Sequence, residues 1–297
     1  MSSLPTFLLA GSGKSGSTSL WHYLKEHPEI CMAEQKEPLF FSRVTGQMDG
    51  GKLVPTRSGR YDKGIEWYKS LFDHCSNATA LGEATAYLYL EDAPELINKH
   101  IPNVKFVFLM RDPVDRAYSH YWQAVKGGRK LPDTFEELVR QDHPYFQAFR
   151  HVSSYAQHLK RYYEVFEEEQ IKIIFLQDLK EKPRELLREV QAFVGVDPDF
   201  VPESLGKRFN KSAVARSAKF QRLIRRMRHT SLKQFMPNWL RKSLSFLARR
   251  ISALNKKEID YGPMDTEIRK SLIDGFMEDI EYLEEKTGRD LTEWKTV

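Results

Sequence analysis

Phe7-Leu8-Leu9-Ala10-Gly11-Ser12-Gly13-Lys14-Ser15-Gly16-Ser17-Thr18-Ser19-Leu20 is the stretch whose reading decides the fold. Its first four residues form a continuous apolar run, the pattern of a strand buried on both faces. The run passes into three glycines, one lysine and a cluster of hydroxyls. From Ser17 the helical spacing of Leu20, Trp21 and Leu24 begins, and His27-Pro28 stops it. A strand, a glycine-rich loop and a helix start, in that order, make an anion cradle. Glycines let backbone N–H groups turn toward an anion, the helix N-terminus favours negative charge, and Lys14 adds a mobile positive charge. Ser15, Gly16, Ser17, Thr18 and Ser19 are the expected contacts beside Lys14, and Ser17 and Thr18 are also placed to cap the helix. The loop is not a Walker A motif, because G-x-x-x-x-G-K-[ST] requires glycine at position 8, where the chain has Leu8. A phosphate-like group is expected, and an ordinary nucleoside triphosphate is disfavoured.

The same alternation continues downstream. Residues 105–110 and 171–176 are apolar runs of buried-strand type, and residues 183–194 carry a helix pattern. Strands alternating with helices predict an α/β fold: a parallel sheet of five or so strands with helices on both faces. Ligands of such folds sit at the carboxyl ends of strands, where Lys14 and Arg111 would both lie. Residues 46–64 read as a surface loop, and residues 265–286 as one long amphipathic helix packed on the sheet. Two more helices are predicted near residues 218–228 and 238–254, separated by Pro237.

The chain has 297 residues, of which 41% are hydrophobic, enough for one sizeable core. The reading is a single domain over residues 1–297, with residues 207–257 as a basic helical insert or lid. That segment holds 16 Lys and Arg and no Asp or Glu, so the remainder is net acidic despite the overall charge of +5. It suggests an anionic partner, an acidic carrier protein or an anionic membrane surface, against the plainer account of a solvated helical face. No nucleic acid is expected. The first strand begins within a few residues of Met1 and no apolar window approaches a spanning length, so neither a signal peptide nor a membrane helix is expected. Cys31 and Cys75, the only cysteines, read as neither a disulfide framework nor a zinc site, which fits a reduced cytoplasm, with peripheral membrane attachment as a variant.

A second anion signal is Arg111-Asp112-Pro113-Val114-Asp115-Arg116-Ala117-Tyr118-Ser119-His120-Tyr121. Arg111 leaves a buried strand where a helix begins, and Pro113 suits a first-turn position. The guanidinium fork and the Ser119 hydroxyl suit a terminal phosphate, each charge-assisted bond contributing about 1.5–3 kcal/mol. Alone, the triplet reads as a helix cap with a local ion pair. Together with the first loop it points to a nucleotide phosphorylated at both the 5′ and 3′ ends of its ribose.

At these residues the chain resembles the sulfotransferases that use 3′-phosphoadenosine 5′-phosphosulfate (PAPS). The Gly-Lys loop is similar to their 5′-phosphosulfate loop, and the segment from Arg111 to Tyr121 to their 3′-phosphate element. Residues 36–41 (KEPLFF), 63–68 (KGIEWY), 82–87 (GEATAY) and 288–294 (GRDLTEW) resemble the heparan-sulfate-type branch and its bacterial relatives. The resemblance implies a P-loop-like fold, PAPS as sulfuryl donor and no metal. It implies Lys14 bridging the transferred group and leaving oxygen, and Glu37 as the general base that deprotonates an acceptor hydroxyl. Tyr155, in a segment opening at Ser153-Ser154, and Lys211 and Arg216, in a loop spanning residues 210–217, are implied as further nucleotide contacts. His22, His27 and His120 are alternative bases without a matching motif. Leu39 and Ala84 stand where glycosaminoglycan enzymes often carry histidine and lysine, which argues against a heparan-like acceptor. The acceptor is expected to be a glycan, a lipid-like molecule or a small metabolite, with an acyl chain on a carrier protein as an alternative. The rival enzyme class is a P-loop kinase, disfavoured by Leu8 and by the lack of an evident magnesium-holding Asp. A binding-only protein is the remaining class.

Overall fold

The structure, a computed structural model, describes residues 4–49, 52–127, 129–207, 209, 213–215, 256–258 and 262–297. Strand β1 (Phe7–Gly11) is buried along its whole length and sits in the middle of a sheet. With β2 (Ile30–Met32), β5 (Ala80–Ala84), β6 (Lys105–Met110) and β7 (Ile171–Phe175) it makes a five-stranded parallel sheet in the order β2-β5-β1-β6-β7. Alternate side chains of the central strands enter two different cores. Leu8, Ala10, Phe106, Phe108 and Met110 belong to one, and Phe7, Leu9, Val107 and Leu109 to the other. Both faces are apolar, so the strands read as unbroken hydrophobic runs.

Helices cover both faces as the alternation predicts. Helix α1 (Ser17–Lys25) and helix α9 (Pro183–Val194) pack on one face through Leu20, Leu24, Leu186, Leu187 and Val190. Helix α3 (Ala93–His100), helix α7 (Tyr155–Tyr163) and helix α11 (Met277–Thr287) pack on the other through Leu96, Ile97, Leu159, Tyr162, Ile280 and Leu283. A third core lies beside the sheet. It joins helix α4 (Pro113–Lys126), α5 (Phe135–Arg140), α6 (Pro144–Ser153) and α10 (Thr266–Gly275) through Val114, Tyr121, Phe135, Phe149, Leu272 and Phe276. Short helices α2 (Ile65–Ser70) and α8 (Leu176–Glu181) complete the layers.

Four expectations are corrected. Within residues 46–64 the chain forms an antiparallel hairpin, β3 (Val44–Asp49) with β4 (Lys52–Ser58), whose register pairs Asp49 with Lys52. The Gly-Gly between those residues is the sequence mark of a two-residue hairpin connection. The long C-terminal helix is two helices, divided at Phe276, whose backbone leaves the helical region directly after Gly275. Ser17 and Thr18 do not cap α1. Gly16 occupies that position at φ 95° and has no side chain with which to accept from the first turn. Finally, Cys31 and Cys75 are joined in a disulfide, with their Cα atoms 5.7 Å apart, inside the range a disulfide requires. The bond ties edge strand β2 to the chain beyond α2, a proximity that no local sequence pattern reveals.

In the basic segment the described residues are two short strands, β8 (Ala213–Ala215) and β9 (Lys256–Glu258), paired antiparallel. The helices expected near 218–228 and 238–254 lie outside the described residues.

Candidate functional site

The loops after β1 and β6 lie side by side because those strands are parallel neighbours, and they flank a cavity of about 640 Å³. The first loop turns sharply: Lys14 has φ 76° and Gly16 φ 95°. A Cβ on Gly16 would lie 2.8 Å from Leu176, so this position needs glycine for both conformation and space. Gly13, Lys14, Gly16, Ser17, Thr18 and Ser19 line the cavity. Ser15 does not. Its side chain is buried beneath the loop, where its hydroxyl sits 2.6 Å from that of Ser12. Lys14 is half-buried, and burial together with Lys126, Arg111 and Arg116 pushes its pKa down to about 8. Among the described residues no carboxylate pairs with it.

Across the cavity stand Lys36 and Glu37, just beyond β2. Glu37 adopts φ 55° and is pinned by its backbone N–H, which donates to Ala84 O at 2.9 Å. Lys36 donates to Thr18 Oγ1 at 2.7 Å, joining this segment to the phosphate loop. Burial lowers the Lys36 pKa. Glu83 lies behind the segment, fully buried, and donation from Tyr68 Oη reaches its carboxylate at 3.1 Å. Burial pushes its pKa up to about 7, against the hydroxyls of Thr85, Tyr87 and Tyr68.

Arg111 and Ser119 line the same cavity, as expected of the second element. Asp112 caps α4, its Oδ1 accepting from the N–H groups of Val114 at 2.8 Å and Asp115 at 3.1 Å. Arg111 Nη2 lies 3.3 Å from Asp115 Oδ2. The local ion pair of the plainer reading is therefore present, and it coexists with an Arg111 that faces the cavity. Tyr155 does not line the cavity. It is fully buried, donates to Arg111 O at 2.9 Å and lies 3.4 Å from Ser12 Oγ, so it braces both loops from beneath. Lys211 and Arg216 lie outside the described residues.

On one face of α4 the sequence reading named Ser119 and His120 and missed Arg116 and Gln123. Arg116, Ser119, His120 and Gln123 share it at helical spacing, and all four line the cavity. The polar stripe at intervals of three and four residues was the available signal. Arg116 is 1% exposed and meets no carboxylate among the described residues. Its Nε donates to Ser153 Oγ at 3.0 Å, its Nη2 donates to His120 Nδ1 at 2.7 Å, and its Nη1 is buried without a partner among the described residues. Because His120 Nδ1 accepts, the proton of this neutral ring sits on Nε2. Desolvation, Arg116 and Lys14 hold the His120 pKa well below the usual histidine range. His27 has a structural partner, its Nε2 lying 2.9 Å from Asp197 O, and His22 stacks on Phe209 with ring centres 3.9 Å apart. Lys36, which the sequence offers only as part of the stretch 36–41, belongs to the cavity lining as well.

Lys14 and Arg116, which meet no carboxylate among the described residues, make with Arg111 and Lys36 a cavity that a polyanion would neutralise, and the buried Arg116 Nη1 is a donor with no acceptor among those residues. Residues 4–247 match the family model described as a sulfotransferase domain. The chain belongs to the sulfotransferase family. It is 33% identical over 209 residues to the bifunctional heparan sulfate N-deacetylase/N-sulfotransferase 4 of Mus musculus, a match covering 66% of this chain and 23% of that protein. It is 29% identical over 205 residues to the Mus musculus heparan sulfate glucosamine 3-O-sulfotransferase 5, covering 66% of this chain and 54% of that one. The chain thus spans about a quarter of the length of the first of these relatives and half of the second. A crystal structure of a sulfotransferase from Alicyclobacillus acidocaldarius superposes with a TM-score of 0.67 at 28% identity, covering 98% of this chain and 99% of that one. Cys31, His74 and Cys75 bring three ligand-type atoms within 4.8 Å, the one such group among the described residues, and both sulfurs are engaged in the disulfide.

Proposed function

We propose that the chain, read as one domain over residues 1–297, transfers the sulfuryl group of PAPS to a hydroxyl on a glycan, lipid-like molecule or small metabolite by in-line displacement. One observation carries the assignment of roles. Lys14, Glu37 and Arg111, from three separate loops, and Ser119, from α4, line one cavity whose buried cation Arg116 lacks a counter-charge among the described residues. The bound donor supplies an electrophilic sulfur and a phosphate leaving group. Gly16, Ser17, Thr18 and Ser19 hold the 5′ end at the start of α1, where backbone N–H groups converge. Arg111 and Ser119 hold the 3′-phosphate. Glu37, fixed through its backbone on β5, takes the acceptor proton, a role that contributes roughly 10²–10⁴-fold. Lys14 neutralises the charge that grows on the leaving oxygen.

Leu39 lines the cavity beside Glu37, and this apolar wall favours an acceptor without sulfate or uronate groups at that point. The basic run of residues 207–257 extends the proposal to docking on an acidic carrier or an anionic lipid surface that presents the acceptor, on grounds of charge alone. Among the described residues no helix is long and apolar enough to cross a membrane. A cytoplasmic setting rested on free thiols, and the Cys31–Cys75 bond removes that ground, since such bonds persist chiefly in oxidising compartments.

The test is turnover of the full chain with PAPS against a panel of hydroxyl and amine acceptors, followed by release of adenosine 3′,5′-bisphosphate. Glu37→Gln is expected to cut turnover by roughly 10²–10⁴-fold while leaving bisphosphate affinity within about two-fold. A fully active Glu37→Gln, or faster phosphoryl transfer from ATP, would sink this reading.

A further inference from the structure

Helix α10 follows the basic segment in the chain, and residue 247 already ends the family match, yet α10 reaches directly into the second anion element. Ile268, Leu272 and Ile273 bury against the core that holds Val114, Ala117 and Tyr121 of α4. Asp265 caps the helix by accepting from Ile268 N at 3.0 Å, and its own N–H donates to Glu136 Oε1 at 3.3 Å. Tyr118 donates to Gly262 O at 2.9 Å, just before the helix. Packing, a cap and flanking bonds thus fix where Arg269 begins.

From there one guanidinium holds two carboxylates. Arg269 Nη2 donates to Asp112 Oδ2 at 2.9 Å, and Arg269 Nη1 donates to Asp115 Oδ1 at 2.9 Å. The opposite oxygen of Asp115 is the one that meets Arg111. The cluster contains two arginines and two aspartates, so its formal charge balances. Only one of its members, Arg111, lines the cavity. We infer that Arg269 is a positioning residue that sets the Arg111 fork through Asp115 and so determines the preference for a 3′-phosphorylated nucleotide. The inference rests on the proposed role of Arg111.

Two physical effects support it, and both act on the 3′ end alone. The first is geometric. Asp115 anchored by a rigid fork presents its other oxygen in one place, and a planar fork on a fixed helix is better suited to this than a flexible ammonium. The second is electrostatic. Without Arg269, two carboxylates would face Arg111 with one positive charge between them, and an incoming phosphate would meet net negative charge. Burial works against the Asp115 carboxylate, yet Arg111 and Arg269 hold its pKa below the usual range, so it stays charged at neutral pH. Among the described residues the phosphate loop makes no direct bond to Asp112, Asp115 or Arg269, and it reaches Arg111 through Tyr155, which donates to the Arg111 backbone and not to its fork.

The experiment is calorimetric titration of the full chain with adenosine 3′,5′-bisphosphate and, separately, with AMP. In the wild type the bisphosphate should bind more tightly, and equal affinities would remove the 3′-phosphate reading itself, and the inference with it. Arg269→Gln is expected to weaken bisphosphate binding about ten-fold and leave AMP binding unchanged, which also reports an intact fold. Arg269→Lys, which keeps the charge but not the two-carboxylate bridge, should fall between. In an Asp115→Asn background the Arg269→Gln loss should shrink, because the path through Asp115 is already cut. Equal losses for both nucleotides, no loss for either, or factors that simply multiply in the double variant would each overturn the inference.

Discussion

The two regions of the cavity proposed to hold anions follow opposite electrostatic plans. Around Arg111 every charge is answered: Asp115 meets Arg111 and Arg269, and Asp112 both caps α4 and meets Arg269. Deeper in, Lys14 and Arg116 have no carboxylate among the described residues, and Arg116 is 1% exposed. A compensated cluster holds its shape without ligand and contributes aim. An uncompensated buried charge is unfavourable in the empty protein and is relieved only when an anion arrives. On the proposed function, the comparison teaches that one end of the site serves selectivity and the other binding strength and charge stabilisation during transfer.

The largest effect should come from the uncompensated end. Lys14→Met is expected to lower turnover by about 10²–10³-fold, the scale of losing one donor to a developing oxyanion. Single-turnover kinetics with saturating PAPS would check it, and a loss confined to KM would place Lys14 in binding only.

A more diagnostic break is Arg116→Met. Removing a buried charge that meets no carboxylate among the described residues should raise the Tm of the unliganded protein by about 2–4 °C. The same change should weaken bisphosphate binding by roughly ten-fold or more, the worth of one charge-assisted bond. Thermal unfolding with and without bisphosphate reads both. A fall in the unliganded Tm would make Arg116 an ordinary structural arginine and dissolve the contrast between the two ends.

The smallest effect is in pH. The Lys14 pKa is held at about 8, below the ordinary lysine value of 10.5, so the folded protein gives up this proton more readily than the unfolded chain. Between those values the unfolded chain binds more protons, and this contribution to stability is present at high pH and lost as pH falls through about 8. Anion binding runs the other way. Bisphosphate affinity should be level below about pH 8 and fall above it, by at most ~ten-fold per pH unit, as ligand must restore the lysine proton. Calorimetry across that range should lose the slope in Lys14→Met. A slope that persists there would assign it to another group.

How much of this was legible in sequence depends on how far each contact reaches. The bounds of β6 and α9 coincide with their apolar and periodic segments, because a strand buried on both faces has no reason to alternate and Pro183 fixes a helix start. Lys14, Glu37, Arg111 and Ser119 were legible too, as residues tied to loops at strand ends. The hairpin over residues 44–58 was missed because neither strand carries a continuous apolar run. Arg116 looked like any helical arginine, since its burial depends on Ser153 and on the core beside the sheet. Arg269 meets Asp112 across 157 positions of sequence, and no local pattern announces a bond of that span. Tyr155 and Ser15 were placed in the right neighbourhood, but only the packed structure turns their side chains beneath the loops rather than into the cavity.

Tyr155 has one more consequence. Its hydroxyl touches the backbone of the β6 loop and lies against the side chain of the β1 loop, and the ring itself is locked in the core. A brace of that kind makes the separation of the two loops a property of the scaffold rather than of the guest. On the proposed function the cavity then works as a gauge: a nucleotide would be accepted when the gap between its two charged ends matches a length the protein has already set, and a longer or shorter one would meet only half of the fitting.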